Sequence, residues 1–258
     1  MSFLTNKTVI LAYKYLFTCL IYVIASAVVL NIFMHKNFLD NTPKNEVGVC
    51  LEYNAVKPWC YRVLVPFSVN TIKVTADQIG ITNKASKLIK YSKVQDRVEK
   101  MKIRYEFKEY VDIANYFIIY GLFFLILLSL LFALRKLTQL LFECHELVYL
   151  LAPVIILLLY PLSFVGSGNL YDFLEILFLI LALIYLLQEK WALYYLVFGL
   201  AILNKESSIL LGIYVVAVYF KVYSTKKLAS HALLHLIIGL PIFLTIRILF
   251  EGNPGGQF

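Results

Sequence analysis

The chain is predicted to be a polytopic bundle of transmembrane α-helices, and three observations lead there. Of its 258 residues, 61% are hydrophobic and only 16% are charged, where a soluble domain carries about 25% charged residues. Mean hydropathy is +0.78, and the excess lies in blocks of about 20 apolar residues, the length that spans a bilayer core. Those blocks are continuous rather than alternating with period two, which argues against a β-barrel.

The first span is expected at roughly Val9 to Met34. Its apolar region is too long for a signal-peptide core, and no small-residue cleavage site precedes His35, so it reads as a retained helix. A long polar region follows, from His35 to about Asp112. The second span is expected at Ile113–Leu134, stopped by Arg135 and Lys136. The third is expected at Leu147–Tyr160, ended by Pro161 and the Gly166–Asn169 turn. The fourth covers Tyr171–Leu187, and Gln188–Lys190 makes a short connection. The fifth, Trp191–Leu203, and the sixth, Ser207–Phe220, are short, and a single broken span is the alternative. The seventh runs from Leu228 to Phe250, with Pro241 as a kink point. This makes one transmembrane domain over 1–258. Residues 35–112 form a long outer loop with interfacial helices, and 113–250 the six-helix remainder.

Charge orients the spans. With the N-terminus cytoplasmic, the inner connections hold Lys7, Arg135, Lys136, Lys190, Lys221, Lys226 and Lys227. The short outer connections hold only Lys205, as the positive-inside rule requires. The first loop, the Gly166–Asp172 turn, the Asn204–Ser208 turn and the tail Glu251–Phe258 then share the outer face. A site for chemistry is expected there. The net charge of +8 points to membrane lipid as partner rather than nucleic acid. No P-loop, Rossmann glycine pattern or G-x-S-x-G elbow appears, so soluble-nucleotide chemistry is not indicated.

Within those outer stretches, Asp40 stands about six residues beyond the first span, followed by Glu46 and Glu52. A carboxylate so placed can act as a general base on an acceptor hydroxyl, and a solvated loop acid is the plainer alternative. Lys57 to Phe67 brackets Trp59, Tyr61 and Arg62 between two prolines. A re-entrant helix here puts Arg62 at head-group depth, where its fork binds phosphate. An interfacial anchor of Trp59, Tyr61 and a snorkelling arginine explains the segment equally well. Asp172 and Glu175 share one face of the fourth span, though acids also favour a helix N-terminus through the dipole. Lys205 and Glu206 are costly in an apolar tract and, being adjacent, cannot point the same way; Asn204 or Ser207 can cap the sixth span. Arg247 is a further phosphate ligand or the partner of Glu251 in a simple i, i+4 ion pair.

Residues 82–112 read as a basic amphipathic helix lying in the membrane interface. Between Lys84 and Glu109 stand nine Lys or Arg against four acids. His231 and His235 have the spacing of a metal pair but lie at the inner end, so no metal site is assigned. A divalent cation at the phosphate is left open. Cys50 and Cys60 share the outer loop and are able to form a disulfide there.

The segments YRVLVPF at 61–67, GNLYDFLEI at 168–176 and LNKESSILL at 203–211 resemble the GT-C glycosyltransferase superfamily, bacterial multi-pass proteins that use polyprenyl-phosphate sugars. The resemblance implies a polyprenyl-phosphate sugar donor and a catalytic acid soon after the first span, the position Asp40 holds. Within this reading, Tyr61, Arg62, Asp172, Lys205, Glu206 and Arg247 are expected to bind the substrate and its lipid phosphate. It implies a bacterial plasma membrane. The family's pattern continues through more helices, so a truncated transferase is expected. A non-catalytic scaffold or subunit is the alternative, and a transporter the third.

Overall fold

The computed structural model describes residues 2–36, 47–81, 113–160 and 171–255. Asp40, Glu46, the basic helix expected at 82–112 and the Gly166–Asn169 turn lie outside the described residues. Among those described, the chain is all-helical and has no strand. Helix α1 spans Ser2–Lys36 and α2 Val47–Leu51. A 3-10 turn at Trp59–Tyr61 precedes α3, Leu64–Gln78. Then come α4 (Ile113–Leu141), α5 (Glu146–Leu159), α6 (Asp172–Leu187) and α7 (Trp191–Asn204). A 3-10 segment at Glu206–Leu211 leads into α8, Gly212–Tyr219, and α9 covers Thr225–Leu249.

Three of these helices are long and apolar enough to cross a membrane: Ala12–Phe33 with 22 residues, and Phe117–Leu141 and Thr225–Leu249 with 25 each. Helices α5 and α7 have 14 residues. At 1.5 Å per residue they rise about 21 Å, short of a hydrocarbon core of about 30 Å. By this measure the described residues hold three full-length spans, where the apolar blocks lead one to expect seven.

Two expected ends also move. The second span does not stop at Arg135 and Lys136, because α4 continues to Leu141. Arg135 donates to Thr18 Oγ1 on α1 and to Glu146 Oε2 on α5, both at 3.1 Å. A charged pair ends an apolar run, but its backbone can keep helical hydrogen bonds, so the helix passes through it. The sixth expected span divides, with a 3-10 start and regular α-helix only from Gly212. A Cβ at Gly212 would stand 3.2 Å from the His235 ring, so glycine lets α8 and α9 approach closely.

Helix α6 is the wall between two apolar cores. Phe173, Leu177, Ile180 and Ile184 face a core built with α1, α3, α4 and α5. Phe178, Ala182 and Leu186, four residues apart, face a second core with α7, α8 and α9. The i, i+3, i+4 spacing of each row is what one helix face requires. Near the start of α6, Phe173 meets Phe33 edge-on with centroids 4.8 Å apart, and Tyr160 at 5.4 Å. These rings make a rigid floor below the polar residues described next.

At the opposite end, the histidines of α9 are engaged with α7. Tyr195 Oη lies 2.7 Å from His231 Nδ1. Tyr194 Oη lies 2.8 Å from His235 Nε2, and His235 Nδ1 is 2.6 Å from the His231 carbonyl. Trp191 stacks on His231 with centroids 4.0 Å apart. The i, i+4 pair therefore packs α9 against α7. Among the described residues, no group of three His, Cys, Asp or Glu is arranged to hold a metal.

Candidate functional site

Three chain segments meet at the start of α6: the turn ending at Arg62, the helix entrance Tyr171–Glu175, and the break after α7. The break arises because Lys205 is extended, with φ −160° and ψ 128°, which ends α7 at Asn204. The two adjacent charges then diverge. Lys205 Nζ reaches Glu175 Oε2 at 2.6 Å, while Glu206 Oε2 faces Arg62 Nε at 4.0 Å. Ser207 Oγ donates to Glu175 Oε1 at 3.4 Å. The 3-10 segment has no side-chain cap. Asn204 instead donates from Nδ2 to the Tyr171 carbonyl at 3.1 Å, pinning the end of α7 to the start of α6.

Tyr171 organises the cations. The Arg62 guanidinium carbon lies 3.8 Å from its ring centroid, and Lys205 Nζ 5.9 Å. Both fall within the range in which a cation is attracted to the ring quadrupole. Burial pushes the Arg62 pKa below its ordinary value, and the charge of Glu206, then those of Asp172 and Glu175, opposes that shift. Asp172 is buried at the first position of α6. Arg247, near the end of α9, lies 5.1 Å from the Phe243 ring centroid and 5.9 Å from that of Tyr61.

Among the described residues, four polar atoms here are buried with no hydrogen-bond partner: Arg62 Nε, Tyr171 Oη, Asn204 Oδ1 and Glu206 Oε2. Buried polar groups are nearly always paired. A concentration of unspent donors and acceptors at one place marks where water or a ligand completes the structure. Beside them, Tyr61, Ile202, Glu206, Phe243, Ile246 and Arg247 enclose a cavity of about 10 Å³, room for about one water. Ile246 also lines a much larger apolar groove of about 760 Å³. Leu64 and Phe67 of α3 form one side of that groove, and Ile242 and Leu249 of α9 another. Its size is that of a small-molecule site, about 300–1,000 Å³, and its lining suits a hydrocarbon chain.

The end of the groove is tied by a strap after α9. Lys57 donates from its backbone N to the Pro254 carbonyl at 2.9 Å and from Nζ to the Glu251 carbonyl at 2.6 Å. Asn253 Nδ2 donates to the carbonyls of Tyr53 and Ala55, at 2.7 and 3.0 Å. Gly255 has φ +147°, and a Cβ there would stand 2.7 Å from Lys57 N, so the strap needs glycine at this point. Among the described residues, no disulfide joins Cys50 and Cys60 in the tied loop. Burial pushes the Cys60 thiol up.

The structure thus brings Tyr61, Arg62, Asp172, Lys205, Glu206 and Arg247 to one end of the bundle, while Asp40 lies outside the described residues. Sequence reasoning passed over Tyr171 and the anchoring bond of Asn204. Its signal was an aromatic residue directly before an acidic helix start. A scan against known families matches no family model, and comparisons with curated proteins and with solved structures yield no significant match.

Proposed function

We propose that this chain is a membrane glycosyltransferase of GT-C type, transferring a sugar from a polyprenyl-phosphate donor to an acceptor at the outer face. In this reading the bundle has seven spans, the short ones completed by flanking residues and local thinning of the bilayer, with the N-terminus on the cytoplasmic side of a bacterial plasma membrane. The observation that supports it best is the adjacency of two unlike surfaces. Glu206 and Arg247 line a small cavity, Ile246 lines both that cavity and an apolar groove, and Val63, next to Arg62, and Leu203, two residues before Lys205, line the groove as well. An amphiphile with a phosphate head and a long tail matches both at once.

The roles follow from the chemistry. Asp40 takes the proton of the acceptor hydroxyl as its oxygen bonds to the anomeric carbon. The bond from that carbon to the phosphate oxygen breaks, and the phosphate leaves with the electron pair. Arg62, Lys205 and Arg247 stabilise the charge that develops there. Tyr61 flanks the head group, while Asp172 and Glu206 orient the cations or accept from sugar hydroxyls. Purified protein given labelled polyprenyl-phosphate sugar tests this. Arg62→Ala and Asp40→Asn should each abolish turnover, and turnover indifferent to both removes the mechanism.

One observation favours a second reading, a non-catalytic scaffold or subunit. The site holds three cations and three carboxylates (Asp172, Glu175, Glu206), and the Lys205–Glu175 pair is a close ion pair without any ligand. A scaffold predicts co-purification with a partner and tolerance of Lys205→Ala and Glu206→Ala together.

A further inference from the structure

The two carboxylates opposite the cations are held very differently. Glu175 is committed: one oxygen lies 2.6 Å from Lys205 Nζ and the other accepts from Ser207 Oγ. Glu206 is not. Its Oε2 stands 4.0 Å from Arg62 Nε, beyond hydrogen-bond range. Both atoms are buried without a hydrogen-bond partner among the described residues. Charge attraction holds Glu206 near Arg62, yet Arg62 Nε and Glu206 Oε2 do not reach hydrogen-bond distance of each other.

The backbone beneath Glu206 also differs from that beneath Glu175. Glu175 lies in the first turn of the 16-residue helix α6. Glu206 opens a six-residue 3-10 segment directly after the extended Lys205. Such segments have poorer hydrogen-bond geometry and often mark a hinge. Tyr194 Oη lies 3.0 Å from the Leu211 carbonyl at the far end of the segment, and Ser207 ties its near end to Glu175, so what is left to move is the Glu206 side chain.

Space settles the remaining question. Glu206 and Arg247 line a cavity with room for about one water. A phosphate group is several times larger, so it does not fit between Glu206 and Arg247 while Glu206 stays in place.

We propose that Glu206 is a resident counter-ion. It holds the position at Arg62 that the phosphate monoester of a membrane lipid takes, and it swings aside when that lipid binds. This rests on reading the site as a lipid-phosphate site, and assigns Glu206 to gating the head-group position rather than to contacting the sugar. Lys205 keeps its bond to Glu175 and turns its remaining donors to the phosphate, which Arg62 and Arg247 receive.

The test is binding by the full chain in phosphatidylcholine nanodiscs, with a fluorescent polyprenyl monophosphate and the matching uncharged alcohol as probes. Wild type should prefer the phosphate to the alcohol. Glu206→Gln and Glu206→Ala should each bind the phosphate about ten-fold more tightly, since they remove a competing charge. Their affinity for the alcohol should not change, which also reports that they are folded. Arg62→Gln should lose the preference for phosphate. If wild type prefers the phosphate but both Glu206 variants bind it equally or more weakly, the counter-ion role is overturned and the lipid-phosphate reading stands. If wild type shows no preference, the reading of the site fails and the counter-ion role fails with it.

Discussion

The Arg62 guanidinium lies over the ring of Tyr171, its central carbon 3.8 Å from the ring centroid. One residue follows the 3-10 turn, the other directly precedes α6. The contact therefore joins the loop before α3 to the wall between the two cores. It fixes the plane of the fork while leaving the Nε edge toward Glu206.

Replacing Tyr171 separates stacking from packing. Tyr171→Leu keeps apolar volume and removes the ring, so affinity for a polyprenyl monophosphate should fall about ten-fold, from the loss of a partly desolvated cation–π contact of about 1–2 kcal/mol. Tyr171→Phe keeps the ring and should stay within about two-fold of wild type. Binding titrations in nanodiscs, with thermal unfolding as the folding control, measure both.

Lys205 and Glu175 should behave as a unit. Each side chain is about a quarter to a third exposed, so the pair falls between a surface ion pair and a buried one. Lys205→Met or Glu175→Gln alone should destabilise by about 1–2 kcal/mol, because each leaves a partly buried partner uncompensated. The double substitution should recover most of that loss. A double-mutant cycle by thermal unfolding reads the coupling directly, and additive losses would show the pair to be energetically idle.

Asn253 should hold the strap. Asn253→Ala removes two hydrogen bonds to the Tyr53 and Ala55 carbonyls, each contributing about 0.5–1.5 kcal/mol. Amide hydrogen exchange in residues 53–57 should accelerate, because Lys57 N is protected by the Pro254 carbonyl. Exchange within α6 should not change.

At the opposite end, acid should loosen the contact of α1 with α5. A hydrogen bond from Lys14 holds the Glu146 carboxyl below its ordinary value of 4.5, with the charges of Lys14 and Arg135 acting the same way. A carboxyl depressed by folding stabilises the fold above its unfolded value, and loses that contribution as pH falls through its folded one. Stability should therefore decline below about pH 4.5, by a small amount because Glu146 is half-exposed. Lys14→Met should flatten this part of the pH profile, measured as melting temperature against pH.

The sequence by itself determined the helical class, the apolar stretches of the chain and the short connections at which charge collects. Those are local properties, set by hydrophobic period and by the cost of charge in an apolar run. Adjacency in the sequence predicted that Lys205 and Glu206 point apart, and the extended Lys205 that ends α7 sets the directions they take. The sequence did not reveal that α4 runs through Arg135 and Lys136, since whether a helix outlasts its apolar stretch depends on partners such as Thr18 and Glu146. Nor did it reveal the role of Tyr171, which is given by a loop about 110 residues earlier and a break about 30 residues later. Only the tertiary structure decided which carboxylate each cation meets, that Glu175 is tightly held and Glu206 loosely, and that an apolar groove opens beside them. The physical reason is range: backbone preference and hydrophobic period act within a few residues, while a site is made by distances between segments that only packing brings together.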